Sequence, residues 1–415
     1  MTVGIMGMGY VGLPLAVAFA QAGHRVIAMD VDSRKVAALE RGESYIEDIP
    51  DEDVRAVRDL IEPTTRVGPL AHADAVLLCV PTPLTANREP DLGPVLDATQ
   101  ALARVLRAGQ LVVLESTSYP GTTRERLLPL LEESGLAAGT DFSLAHSPER
   151  VDPGRADHTI RNTPKVVGGL TEVCTQRASD LYAAICDEVV PVATPEAAEL
   201  TKLLENIFRS VNIALVNELA ILADRMNIDI WEVVDAASTK PFGFMRFEPG
   251  PGMGGHCLPV DPFYLAWRAR EFDMPTEFIE LAGEVNQAMP YFCVQKIAAA
   301  LNEHSKPVRG SKVLIVGVSY KPGVGDLRES PALKIIRLLR ERGAEISYSD
   351  PYVPELQEHD LTARPLEQEL EGCDCAVIVT HHPGLDFDKI LATAPLVVDF
   401  RGVTRGKTAP NLVRL

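Results

Sequence analysis

A run of glycines set between a short apolar strand and an apolar helix constrains this chain more than any other feature. Thr2 to Met6 reads as a strand, and Gly7-Met8-Gly9-Tyr10-Val11-Gly12 follows it directly and opens a helical pattern. Glycines at the first, third and sixth places allow a tight turn, close backbone approach to a ligand and close packing of helix on strand. Such a turn opens the first βαβ unit of a dinucleotide-binding domain, with pyrophosphate resting on the helix N-terminus. The glycines alone are a weak signal. Asp30 strengthens it, because it ends a second strand, Arg25–Asp30, 18 residues after Gly12, where a carboxylate can accept hydrogen bonds from a ribose diol. The same carboxylate repels a 2′-phosphate, so the pattern predicts NAD rather than NADP. Gly7, Gly9, Tyr10, Val11, Gly12 and Asp30 are the expected cofactor contacts. Thr82 in Val80-Pro81-Thr82-Pro83 and Thr117 in Glu115-Ser116-Thr117 follow the apolar runs Ala75–Val80 and Leu111–Glu115, at what should be the carboxyl edge of the same sheet. Both join the cofactor candidates.

The expected fold is α/β, with two Rossmann-like doubly wound domains joined by a helical segment that carries a long central helix. The NAD-binding domain is assigned to residues 1–192, a central helical, dimer-forming domain to 193–305, and a second Rossmann-like domain to 306–415. In the last of these, Val313–Val318, Ile346–Ser349, Ala376–Thr380 and Leu396–Asp399 read as strands. Ser330, Pro331 and Gly343 mark the cap, first residue and stop of its first helix. Thr194-Pro195 opens a helix predicted to run to about Met226. Leu200, Leu203, Leu204, Ile207 and Val211 fall on one stripe of it, with Lys202 and Asn206 four apart on the opposite side. Beyond Val211 the pattern is apolar on most sides, which suggests a homodimer or a higher homo-oligomer.

A formal charge of −18 and a pI near 5.0 exclude a general attraction to nucleic acid or to anionic membranes. No signal-peptide pattern is expected at the start of the chain, and no apolar run is expected to reach the roughly 18 residues that span a bilayer, so a cytoplasmic location is expected. Seven scattered cysteines fit free thiols in a reducing compartment. Cys373-x-Cys375 has no partners at ligand spacing, and no metal site is expected.

Cys257 closes the side-chain-poor run Pro249-Gly250-Pro251-Gly252-Met253-Gly254-Gly255-His256-Cys257. A ligand can approach such a thiol closely, and a thiolate is the best ordinary nucleophile for a carbonyl. Together with Gly7-x-Gly-Tyr-Val-Gly, Val80-Pro-Thr-Pro, Ser116-Thr117, Ser147-Pro148-Glu149-Arg150, Lys202-x-x-x-Asn206, Gly254-Gly-His-Cys257 to Asp261, and Tyr320-Lys321 to Arg328, it resembles the nucleotide-sugar 6-dehydrogenase family over essentially the whole chain. The resemblance implies oxidation of a sugar C6 alcohol to a carboxylate with two NAD+ and one water. It implies Cys257 as the nucleophile that holds first a thiohemiacetal and then a thioester. It gives Asp261 and Lys202 the hydroxyl proton, Lys202 and Asn206 the oxyanion, and Glu149, with Thr117 nearby, the hydrolytic water. The carboxyl-terminal domain has no glycine fingerprint and is expected to bind the nucleoside diphosphate. There the resemblance makes Lys321 a diphosphate contact, Arg328 a contact to NAD and Arg401 a substrate contact. Gly254, His256 and Arg150 complete the substrate candidates.

His256 before the nucleophile and Arg150 after Glu149 look more like the UDP-N-acetylglucosamine branch than the UDP-glucose branch. UDP-N-acetylmannosamine and UDP-glucose are the rival substrates. Two other classes compete: a two-electron hydroxyacid-type dehydrogenase, which leaves Cys257 unexplained, and a non-catalytic sugar-nucleotide binder, which requires a missing catalytic group.

Overall fold

The computed structural model describes residues 1–46, 49–85, 89–151, 157–255 and 260–415. His256 and Cys257 lie outside the described residues. The chain separates into two compact units, one of residues 1–205 with 263–275 and one of residues 206–262 with 276–415.

The first unit is built on one sheet of β1 (Thr2–Met6), β2 (Arg25–Met29), β3 (Ile61–Thr64), β4 (Ala75–Leu78), β5 (Leu111–Leu114), β6 (Ser143–His146), β7 (Lys165–Gly169) and β8 (Val189–Val192), in the order β3-β2-β1-β4-β5-β6-β7-β8. Val3 pairs with Val26 on one side and Ala75 on the other, both in parallel. Successive residues of these strands feed two separate cores. Val3, Ile5, Ala28, Leu77 and Val113 pack on one face, and Met6, Ile27, Val76, Leu78 and Val112 on the other. Burial on both faces is why the strands read as unbroken apolar runs rather than as alternations. Each Val, Leu, Ile or Met side chain so buried contributes roughly 1.5–3 kcal/mol. Strand order reverses at β1, so its carboxyl end, where the glycine turn leads into α1 (Gly12–Gln21), is the crevice where ligands collect in open α/β sheets. Ala145 to Gly169 is an antiparallel pairing, and β7 to β8 is parallel again.

The second unit contains a parallel sheet of β9 (Lys312–Val316), β10 (Glu345–Ser349), β11 (Cys375–Ile378), β12 (Val397–Asp399) and β13 (Leu412–Arg414), in the order β10-β9-β11-β12-β13. Ser330 caps the following helix by accepting from the Ala332 amide, Pro331 is its first residue, and Gly343 lies just past its end at φ +88°.

A helix of 31 residues, α2 (Pro195–Arg225), contributes to both units, and α3 (Asp261–Ala269) and α4 (Glu277–Glu303) follow. The expected burial of α2 holds only in part. Of the apolar stripe, Leu203 is buried and Ile207 and Val211 are half-buried, but Leu200 and Leu204 are exposed, whereas Asn206, Ser210 and Asn217 from its polar side are buried. Asn217 Nδ2 donates to Asn286 Oδ1 at 3.0 Å, and its Oδ1 accepts from the Gly250 amide at 2.9 Å. The polar side is buried because it holds other elements by hydrogen bonds, leaving Leu215, Leu219, Leu222 and Met226 exposed at helical spacing. A stretch of α2 is long and apolar enough, by length and composition, to cross a bilayer, although charged and polar residues interrupt it so that it contains no unbroken apolar run of that length.

Candidate active site

The glycine turn has the shape of a phosphate cradle. Gly7 sits at φ +95°, and a Cβ there would lie 2.7 Å from the Cys79 carbonyl oxygen. A Cβ on Gly12 would come within 1.8 Å of the Gly7 carbonyl oxygen, so both positions exclude side chains. A Cβ on Gly9 would meet nothing within 4 Å. The helix that follows has no side-chain cap at its N-terminus, leaving its first amides for a ligand. These features fit the pyrophosphate of NAD. Tyr10 is exposed and Val11 half-buried at the mouth of the turn.

Asp30 is buried and already engaged: Oδ2 accepts from the Met8 amide at 2.8 Å and from Lys35 Nζ at 2.9 Å, and Oδ1 from the Asp32 amide at 2.8 Å. It therefore braces the glycine turn, and its remaining lone-pair capacity is what a ribose hydroxyl would use. Thr82 is buried, and its carbonyl oxygen accepts from the Tyr264 hydroxyl. Ser116 Oγ donates to the Val80 carbonyl at 2.6 Å, tying the ends of β4 and β5 together beside Thr117.

Deeper at the same edge lies a charged cluster that sequence reasoning only half anticipated. Glu149 Oε1 accepts from the amides of Arg150 at 2.7 Å and Val151 at 2.6 Å. Its Oε2 faces Lys165 Nζ at 3.5 Å. Lys165, the first residue of β7, is buried and donates to Glu115 Oε2 at 2.7 Å and to the Pro148 carbonyl at 3.2 Å. Glu115 in turn accepts from the Tyr182 hydroxyl. Burial disfavours the Lys165 ammonium, but Glu115 and Glu149 outweigh it and hold the group above its ordinary value. Burial pushes Glu115 up, whereas for Glu149 the burial penalty is exceeded by Lys165, the two amides and Lys202, so its carboxyl sits below the usual range. The available signal was a charged residue at the end of an apolar strand, Glu115 after β5 and Lys165 opening β7.

Lys202 is half-buried, and among the described residues it has no ion-pair partner. Arg150 is paired, with Nη2 2.6 Å from Glu205 Oε1 and Nη1 donating to the Pro164 carbonyl at 2.5 Å. One turn earlier on α2, Glu199 is buried and accepts from the Gly121 amide at 2.6 Å, the Thr123 amide at 2.8 Å and Thr123 Oγ1 at 2.7 Å.

In the second unit, Asn206 Nδ2 donates to Asp261 Oδ2 at 2.6 Å, both residues buried. The loop that leads to Cys257 is pinned rather than free. A Cβ on Gly254 would lie 2.7 Å from Tyr320 Cβ and 2.8 Å from the Glu329 carbonyl oxygen. Gly255 takes φ +93° and donates its amide to the Arg328 carbonyl at 2.9 Å. Arg328 forms an ion pair with Asp326 at 2.6 Å, and Lys321 Nζ lies 5.9 Å from the Tyr320 ring centroid. His382 Nε2 lies 2.9 Å from Asp350 Oδ2, and Asp350 also takes the Val318 amide at 2.7 Å. Arg401 Nε donates to the Val379 carbonyl at 2.6 Å, and burial lowers its guanidinium to about 10.

A glycine cradle on a parallel sheet, followed by a second parallel sheet without one, defines a dinucleotide-binding protein with an additional α/β domain. Comparison with known proteins narrows the class. The UDP-glucose/GDP-mannose dehydrogenase family matches along the chain, its NAD binding domain at residues 1–186, its central domain at 196–288 and its UDP binding domain at 314–406. The UDP-N-acetyl-D-mannosamine dehydrogenase of Pyrococcus horikoshii is 35% identical over 98% of this chain and 100% of its own length. The UDP-N-acetyl-D-glucosamine 6-dehydrogenase of Pseudomonas aeruginosa is 35% identical over 85% of this chain and 83% of its own. Among solved structures, the Pyrococcus horikoshii enzyme superposes with a TM-score of 0.92 at 33% identity, covering 100% of this chain and 99% of that one. A UDP-glucose dehydrogenase from Pyrobaculum islandicum gives 0.89 at 29% identity, with 99% and 96% covered. The chain belongs to the UDP-glucose/GDP-mannose dehydrogenase family, and it is an NAD-dependent UDP-sugar dehydrogenase.

Proposed function

We propose that the chain oxidises C6 of a UDP-N-acetylhexosamine, UDP-N-acetylglucosamine first among them, from alcohol to carboxylate through a covalent adduct on Cys257. NAD+, when bound, accepts the hydrides that C6 gives up. Asp261 and Lys202 take the hydroxyl proton as the alcohol becomes an aldehyde. The Cys257 thiolate then adds to the aldehyde carbon, and Lys202 and Asn206 steady the oxyanion by a charge and an amide donor. Loss of the second hydride leaves a thioester, and Glu149 activates the water that releases it. The observation that carries this reading is the buried 2.6 Å hydrogen bond from Asn206 to Asp261, which stands four residues after Cys257 in the sequence. Lys321, Arg328, Arg401, Gly254, His256 and Arg150 are retained as contacts to substrate or cofactor, although the pairing of Arg150 with Glu205 favours a role in shaping the site over a direct grip on the sugar.

The N-acetylated sugar is supported by the motifs around Arg150 and His256 and by the substrates in the names of the relatives in Pyrococcus horikoshii and Pseudomonas aeruginosa. The first of these favours UDP-N-acetylmannosamine as the second reading. Comparing kcat/KM for UDP-N-acetylglucosamine, UDP-N-acetylmannosamine and UDP-glucose tests it, and equal or better turnover of UDP-glucose would overturn the branch assignment. We also propose the three-part division at residues 192 and 305, a cytoplasmic setting, and a homodimer formed through the exposed apolar face of α2.

A further inference from the structure

The charged cluster beneath Glu149 contains more than the reaction as proposed uses. Its partners come from separate elements of the first unit: Glu115 after β5, Lys165 at the start of β7, and Tyr182 at the end of the helix Glu172–Tyr182. We infer that Lys165 is a positioning residue for Glu149, fixing which carboxylate oxygen meets the water and setting the pH range over which the thioester is hydrolysed. The inference rests on the reading of Glu149 given above.

The geometry divides the two oxygens of Glu149 between different tasks. Oε1 is occupied by two backbone amides, so only Oε2, facing Lys165 at 3.5 Å, is left to take a proton from water. In the step concerned, the water oxygen bonds to the thioester carbon, the C–S bond breaks, Cys257 leaves as thiolate and the water proton passes to Glu149. An ammonium beside Oε2 keeps that oxygen unprotonated beforehand. Lys165 cannot swing away, because Glu115 and the Pro148 carbonyl hold it and it stacks 5.1 Å from the Tyr182 ring centroid. Tyr182 is held protonated by burial and by Glu115, and so remains a donor.

The other titratable groups around the pair are Lys202 from α2, Cys79, Cys186 and His146. Burial keeps both thiols neutral, Cys186 at about 11, and burial together with Lys165 drives His146 down to about 3, so it too is neutral. The charges acting on Glu149 are therefore Lys165, Lys202 and Glu115.

The test uses the full-length protein with UDP-N-acetylglucosamine and NAD+, following decay of the preformed acyl adduct by intact-protein mass after pH jumps. The adduct carries no free Cys257 thiol to confuse the titration. Lys165→Met should move the acid limb of decay upward by about 1–3 pH units, as loss of an opposite charge at this range does. The adduct should then accumulate at pH 6, and Lys165→Arg should restore the parent profile. Glu115→Gln, which among the described residues leaves Glu149 as the carboxylate paired with Lys165, should move the limb the other way and supplies the answer if Lys165→Met does not fold. An unmoved limb in the folded Lys165→Met protein, or in Glu115→Gln when that is the only folded variant, overturns the inference. Glu149→Gln separates the two ideas: if it clears the adduct as fast as the parent, the role of Glu149 falls. If it accumulates adduct while the limb stays fixed in the Lys165 and Glu115 variants, only the positioning role falls.

Discussion

Glu199 shows how one buried side chain can tie stability to pH. Burial raises its carboxyl to about 7 from an ordinary 4.5, outweighing the three donors that converge on it. The folded state therefore binds more protons than the unfolded state between those values. Its contribution to stability is fullest below about pH 4.5 and falls as pH rises through 7, by on the order of 3 kcal/mol in all. In thermal melts across this window the parent should lose stability relative to Glu199→Gln as pH rises, and a constant difference between the two would contradict the assignment. A second residue-scale prediction concerns Gly254, where an added methyl group would meet both Tyr320 Cβ and the Glu329 carbonyl oxygen. Gly254→Ala should displace the loop that carries Cys257 and lower kcat roughly 100-fold, the cost of misplacing a reactive group by about 1 Å. The melting temperature should change little, and steady-state kinetics beside a thermal melt would check both.

At the scale of elements, β1, β2, β4 and β5 were legible because a parallel strand covered on both faces is a short, unbroken apolar run. Strands β3, β6, β7 and β8 were not. Ile61-Glu62-Pro63-Thr64 mixes polar residues and a proline into an edge strand, and Lys165 opens β7 with a charge whose partners, Glu115 and Glu149, are distant in sequence. The length of α2 was legible from its cap and periodicity, but the burial of its polar side beside Leu203, with Leu200 and Leu204 left exposed, was not. Hydrophobicity alone cannot reveal that Asn206 and Asn217 have hydrogen-bond partners waiting at Asp261, Gly250 and Asn286. The exposed leucines are then what a partner chain would cover. Leu219→Asp should convert a dimer to a monomer in sedimentation velocity, and an unchanged sedimentation coefficient for a dimeric parent would remove α2 from the interface.

Across the whole molecule, the two-sheet plan and the glycine cradle were readable because backbone geometry demands particular residues at particular places. Gly7 and Gly12 admit no side chain, and Ser330, Pro331 and Gly343 each occupy the helix position their chemistry suits. The charged network around Glu149 was not readable, since it is assembled by topology from strands far apart in sequence. Fold and cradle together still leave open how many electrons each sugar yields. Only the covalent role of Cys257 requires four, with a thioester between the second hydride loss and hydrolysis. The most direct measurement is the number of NADH molecules formed per molecule of UDP-N-acetylglucosamine consumed to completion. The account predicts two, with the uronic acid as sole product, and one NADH with a released aldehyde would contradict it.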